Sequence, residues 1–130
     1  MSETPENRFQ PAVPSLNVAN CEASLRFYCD VLGFEKDFDD AILGRDVMLF
    51  AGVRRDACEL TLNQHDAQRC TLTIGIQVDD VDALVEEYRA RGVEIRLEPQ
   101  DEPWGERHMA IADLDGHELH FSSRAAAEPE

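Results

Sequence analysis

Apolar and polar positions along the chain follow two different periods, and the periods recur in the same order in each half. From Ala12 to Val18, AVPSLNV, the set Pro14, Leu16 and Val18 alternates with Val13, Ser15 and Asn17, the two-residue period of a strand. Pro11 and Pro14 have no N–H to give a ladder, which puts this strand at a sheet edge or a subunit seam. Asn20 suits a helix N-cap, because its side-chain oxygen can accept an unpaired N–H of the first turn. Leu25, Tyr28, Cys29 and Leu32 then fall at helical spacing, and Gly33 ends the helix. Strands are expected next at Phe34 to Phe38, Asp46 to Ala51 and Ala57 to Asn63.

The second half repeats this order. TLTIGIQV, Thr71 to Val78, alternates Leu72, Ile74, Ile76 and Val78 against Thr71, Thr73, Gly75 and Gln77. Asp80 can cap a helix whose stripe is Val81, Leu84, Val85 and Tyr88, and Gly92 ends it. Strands are expected at Val93 to Glu98, Arg107 to Asp113 and His117 to Ser123. An offset of about sixty residues superposes Val18 on Val78, Asn20 on Asp80, Ala23 on Ala83 and Tyr28 on Tyr88, the mark of a duplicated βαβββ unit. The expected fold is α+β: one domain over residues 9–124, with modules at about 9–63 and 71–124 and tails at 1–8 and 125–130. Apolar strand positions must face the helices. The alternate sets then line a cavity between curled mixed sheets: Val13, Ser15 and Asn17; Glu59, Thr61 and Asn63; Thr71, Thr73, Gly75 and Gln77; Glu118, His120 and Ser122.

Composition narrows the function classes. The chain has 130 residues, enough for one core. No apolar run reaches the ~20 residues of a membrane span, and MSETPENR has no signal-peptide pattern, so a cytoplasmic location is expected. The four cysteines show no CxxC spacing and are expected as free thiols filling packing positions. Twelve basic residues against twenty-seven acidic ones leave a net charge of −15. Nucleic-acid phosphates would be repelled, and a cationic small molecule would be attracted.

Candidate chemistry concentrates in PWGERHMAIADLDGHELHFSS, Pro103 to Ser123. Trp104 sits in a Pro-Trp-Gly loop, as either a stacking surface or a cover for a core edge. Glu118 and His120 share the polar side of the last strand, where His120 is either a ligand contact or a histidine bonded within the sheet. Glu59 is either a ligand contact or a solvated strand residue. His117 sits on the apolar side at a turn and needs no role. Neither a nucleophilic triad nor a glycine-rich phosphate loop is legible.

The segments AVPSLNV, SLRFYCDVLGF and PWGERHMAIADLDGHELHF, in this order and within paired βαβββ units, resemble the vicinal oxygen chelate superfamily, which includes glyoxalases, extradiol dioxygenases and bleomycin resistance proteins. The resemblance covers Ala12 to Ser123. It implies metal-ligand positions at Val13, Glu59, Thr73 and His120. Valine cannot bind a metal and threonine does so poorly, which leaves too few of the roughly three protein ligands a catalytic metal needs. The chain is therefore most similar to the metal-free bleomycin-binding branch. That branch implies a homodimer exchanging N-terminal strands around Pro14, no cofactor, and a bulky cationic ligand stacked on Trp104. The partner aromatic that the resemblance implies has no clear counterpart: near Gly44 the chain offers Ile42, with Phe38 upstream, and Glu59, Thr61, Thr73, Glu118 and His120 are expected to line the site. The alternative within the superfamily is a divalent-metal-dependent lyase or oxidoreductase using Glu59, His120 and His108.

Overall fold

The apolar stripes of the two halves meet in one core. A computed structural model describes residues 7–40, 44, 47–65 and 70–125. The first module runs β1 (Ser15–Val18), α1 (Cys21–Arg26), β2 (Glu35–Asp39), β3 (Phe50–Arg55) and β4 (Cys58–Gln64). The second runs β5 (Thr73–Gln77), α2 (Val81–Ala90), β6 (Ile95–Asp101), β7 (Glu106–Ala112) and β8 (Glu118–Arg124). Each module makes a four-stranded mixed sheet, ordered β1-β4-β3-β2 and β5-β8-β7-β6. The first and last strands of each module pair in parallel, and the remaining pairs are antiparallel. The architecture is the α+β pair of βαβββ units expected from the sequence.

The helices start where the side chains can cap them. Asn20 accepts from Ala23 N–H at 2.9 Å, and Asp80 from Ala83 N–H at 3.1 Å. A second cap is also duplicated: Gln64 Oε1 accepts from Cys21 N–H, and Ser123 Oγ from Val81 N–H. After Arg26 the first helix widens into a π-helical turn, Phe27–Val31, closed by Leu32 N–H to Phe27 C=O at 3.1 Å. Gly33 and Gly92 then reverse the chain with φ of +82° and +76°, a region that costs other residues a Cβ clash.

Leu16, Val18, Leu60 and Leu62 from one sheet, and Met109, Ile111, Leu119 and Phe121 from the other, are buried against the helices in a single cluster. Two tyrosines at equivalent places pin the halves together. Tyr28 donates to Asp113 at 2.8 Å, and Tyr88 donates to Leu32 C=O at 2.9 Å. Arg55 reaches across to Glu87 at 2.9 Å and to the Tyr88 hydroxyl at 3.3 Å. That bond holds the Glu87 carboxyl below its ordinary range, and desolvation pushes Tyr88 up to about 12.

Several strands depart from the sequence reading: β5 is shorter than expected, β6 runs on from Ile95 to Asp101 past Glu98, and β3 and β1 both begin late. β3 begins at Phe50 rather than Asp46 and runs through Gly52 to Arg55. A glycine inside an apolar run reads as a strand end; here it is a gap filled by the Phe38 ring, which a Cβ at residue 52 would strike. β1 begins at Ser15, three residues later than expected. The segment upstream lacks a clamp that its counterpart in the second module has, because His117 accepts from Leu72 N–H at 2.9 Å through Nδ1 and bonds Asn17 C=O at 2.7 Å through Nε2. Ladder registers place Cys58 where His117 stands, and a thiol cannot bridge both partners. All four cysteines are free; Cys70 is exposed rather than packed.

Candidate functional site

Strand alternation places the polar set of each sheet on the face turned away from the shared core. Ser15, Asn17, Glu59, Thr73, Gly75 and Gln77 are exposed there, and Thr61, Asn63, Glu118, His120 and Ser122 are half-buried. Among the described residues, no hydrogen bond, ion pair or ring contact joins the two polar faces, so within one chain each stays open. The hollow expected between the sheets is not closed by a single copy.

On the first sheet, the ladder sets Phe38, Gly52, Thr61 and Ser15 in one row across four strands. Phe38 lies over Gly52 and packs beside Phe50, with ring centroids 5.4 Å apart and planes tilted by 37°. Asn63 bonds the Ser15 hydroxyl at one end of this shelf. Glu59 projects from β4 two residues before Thr61 and pairs in register with Arg54. Exposed apolar side chains with polar neighbours on an open face are a stacking surface in want of a flat partner. Ile42 lies outside the described residues.

On the second sheet, registers pair Thr73 with Glu118 and Gly75 with His120. His120 stacks on His108, with centroids 4.9 Å apart, and their Nδ1 and Nε2 atoms are 2.8 Å apart. The chain continues to a carboxylate at either end, His108 to Glu102 at 3.4 Å and His120 to Glu118 at 2.9 Å. Two neutral imidazoles carry two ring protons between them, and three links need three. Glu102 and Glu118 leave the chain acidic at both ends.

Trp104 sits in the β6–β7 hairpin. Gly105 N–H bonds Glu102 C=O at 3.1 Å, and Gly105 has φ of +92°, so Pro103 and Trp104 occupy the centre of a turn followed by a glycine bulge. The indole is 67% exposed and stands two residues from Glu102. Arg107, further along the same motif, is tied to Asp82 and Asp101 at 2.9 and 3.1 Å and anchors the hairpin to α2.

The registers also revise the metal positions implied by the resemblance. Ser15 pairs with Thr61 as Gly75 pairs with His120, so the counterpart of Glu59 is Glu118, and His120 corresponds to Thr61. Glu59 and Glu118 lie on different sheets. Among the described residues, no three His, Cys, Asp or Glu side chains are grouped as a metal would need. His108 and His117 are the residues that sequence reasoning undervalued. The alternation that singled out His120 also put His108 on the same face, whereas nothing in the pattern distinguished the His117 bridge.

The fold and its open faces define a class of proteins built from duplicated βαβββ units. Residues 9–121 match the model of the Glyoxalase/Bleomycin resistance protein/Dioxygenase superfamily, and the chain belongs to that family. A bleomycin-binding protein from bleomycin-producing Streptomyces verticillus, solved with copper(II)-bleomycin, is similar at 32% identity over 95% of this chain and 100% of that one, with a TM-score of 0.70. A superfamily member from Sphaerobacter thermophilus is 25% identical over 89% and 98%, with a TM-score of 0.75. TioX from Micromonospora sp. ML1 shares the fold, with a TM-score of 0.78 at 18% identity over 88% and 99%. No curated protein sequence matches the chain. Among the described residues, no helix is long and apolar enough to cross a membrane.

Proposed function

We propose that the protein is a cytoplasmic binding protein that sequesters a cationic, partly planar antibiotic of the bleomycin type, without turning it over. The observation that carries this reading is the Phe38–Phe50 shelf on an open polar face. A planar group stacks there, at about 0.5–1.5 kcal/mol per aromatic contact beyond its buried area. Trp104 supplies a second aromatic surface, and Thr61 and Thr73 supply hydroxyls. Positive groups of the drug meet Glu59, Glu102 and Glu118, beside the His108–His120 chain. Each face is open in one chain, so the pocket is closed by a homodimer in which the first sheet of one copy opposes the second sheet of the other. Pro14 marks where the N-terminal segment crosses over. The similarity to the Streptomyces verticillus protein supports the choice of ligand.

Trp104 is the sole tryptophan, so its emission reports on one place. Titration with bleomycin should give a saturable change with micromolar or tighter affinity. Unchanged emission together with no heat of binding at saturating drug removes the proposal.

A further inference from the structure

The two seams between the modules have equivalent parts and unequal fillings. Beside Tyr28 the seam is closed by the turn between β7 and β8, which part after the Ala112–Glu118 pair. In that turn Asp113 takes the Tyr28 hydroxyl, Asp115 accepts from Ala19 N–H at 2.8 Å, and the His117 imidazole, 1% exposed, bonds Asn17 C=O. Beside Tyr88 the corresponding turn is shorter, because β3 and β4 remain paired as far as Arg55 and Cys58. Arg55 fills the place of Asp113, but Cys58 replaces the imidazole, and among the described residues no hydrogen bond from Asp56 or Ala57 to the start of α2 matches the one from Ala19 N–H to Asp115.

What remains is a cleft of about 520 Å³, within the size range of small-molecule sites. Its apolar lining comes from Phe34, Ile76, Leu84, Tyr88 and Phe121. Gln77, the counterpart of Asn17, lies at its edge on the outermost strand of the second sheet. Asp56, Asp79, Asp80 and Glu87 also line it, against the single cation Arg55, which is already committed to Glu87. Of the residues on the open polar faces only Gln77 lines the cleft, and the rest of the lining lies on the core side of the sheets.

We propose that this seam is a second binding site, and that it takes a small planar heteroaromatic amine. The ring lies on Ile76, Leu84 and Phe121, its N–H bonds Gln77 C=O as His117 bonds Asn17 C=O, and the protonated amine faces Asp79 and Asp80. The filled seam is the template for this chemistry: it holds an N–H-bearing ring at the equivalent point. The net negative lining selects a cation over an anion of the same shape.

Tryptamine is the probe, read by two-dimensional amide NMR of the full chain, with indole-3-acetate as its anionic counterpart. Saturable shifts are expected at Ile76 to Asp80, Leu84 and Phe121, with indole-3-acetate binding at least tenfold more weakly. Cys58→His should place an imidazole in the cleft, abolish tryptamine binding and raise the melting temperature. Asp79→Asn, a milder change at an exposed residue, should weaken tryptamine at least threefold and tighten indole-3-acetate, so that the preference between the two narrows. Shifts confined to Trp104, Phe38 and Phe50, equal binding of both indoles, or undiminished binding by folded Cys58→His would each overturn the assignment.

Discussion

Gly52 is the residue on which the aromatic shelf depends. It is a strand glycine whose missing side chain is occupied by the Phe38 ring. Gly52→Val therefore displaces Phe38, and bleomycin affinity should fall at least tenfold in the Trp104 titration. Overpacking adds about 1–3 kcal/mol of destabilisation, measurable by urea unfolding. His117 carries a different kind of weight. Its imidazole satisfies Leu72 N–H and Asn17 C=O at once, so His117→Ala leaves two polar groups short of a partner and should cost about 2–4 kcal/mol in the same assay. Cys21 gives a pH signature. Desolvation by burial raises its thiol from 9.0 to about 11, with Asp40 and Asp39 adding to the rise. A group that holds its proton more tightly when folded contributes stability that is complete below its unfolded pKa and is lost as pH climbs through the folded one. The unfolding midpoint should therefore drop between pH 9 and 11, and Cys21→Ala should show a smaller drop. An identical pH profile in the variant would remove Cys21 as the cause.

At the scale of elements, the connection between modules is carried by hairpin turns laid on the opposite helix region. Arg55 leaves the end of β3 to meet α2 at Glu87 and the C=O of Leu32. The pair is about one-third exposed, so its worth is discounted for solvent screening. Arg55→Gln should cost about 1–2 kcal/mol, and its effect should be non-additive with Glu87→Gln in a double-mutant cycle. Additive effects would mean that the two side chains act separately.

The elements were largely legible because capping and periodicity are local. Asn20, Asp80, Gly33 and Gly92 marked the helix bounds, and alternation assigned the faces of β4, β5 and β8 correctly. What failed was non-local. The third strand was expected to end at Ala51, because the reason for a glycine at 52 is a ring on the neighbouring strand. His117 read as inert because its two partners lie 45 and 100 residues away. The His108–His120 contact needed the β7–β8 register, which no single strand encodes.

For the whole molecule, the net charge of −15 matters more than any one carboxylate. A cationic drug approaching two open faces should bind with an affinity that falls roughly tenfold between 50 and 500 mM salt, because exposed charge is screened within about 10 Å at 0.1 M ionic strength. Salt-independent affinity would remove electrostatics from the proposed binding. Sedimentation across the same range should report a dimer, since the open faces require one for closure.

The unequal handling of the two tyrosines has a consequence for ancestry. Tyr28 is met by the carboxylate of Asp113, and Tyr88 by the guanidinium of Arg55. A chain assembled from two first halves would offer an arginine at both places, and one from two second halves would offer an aspartate at both. Whatever its origin in copying, each half has become a key cut for the other's lock, and neither can any longer stand in for its twin.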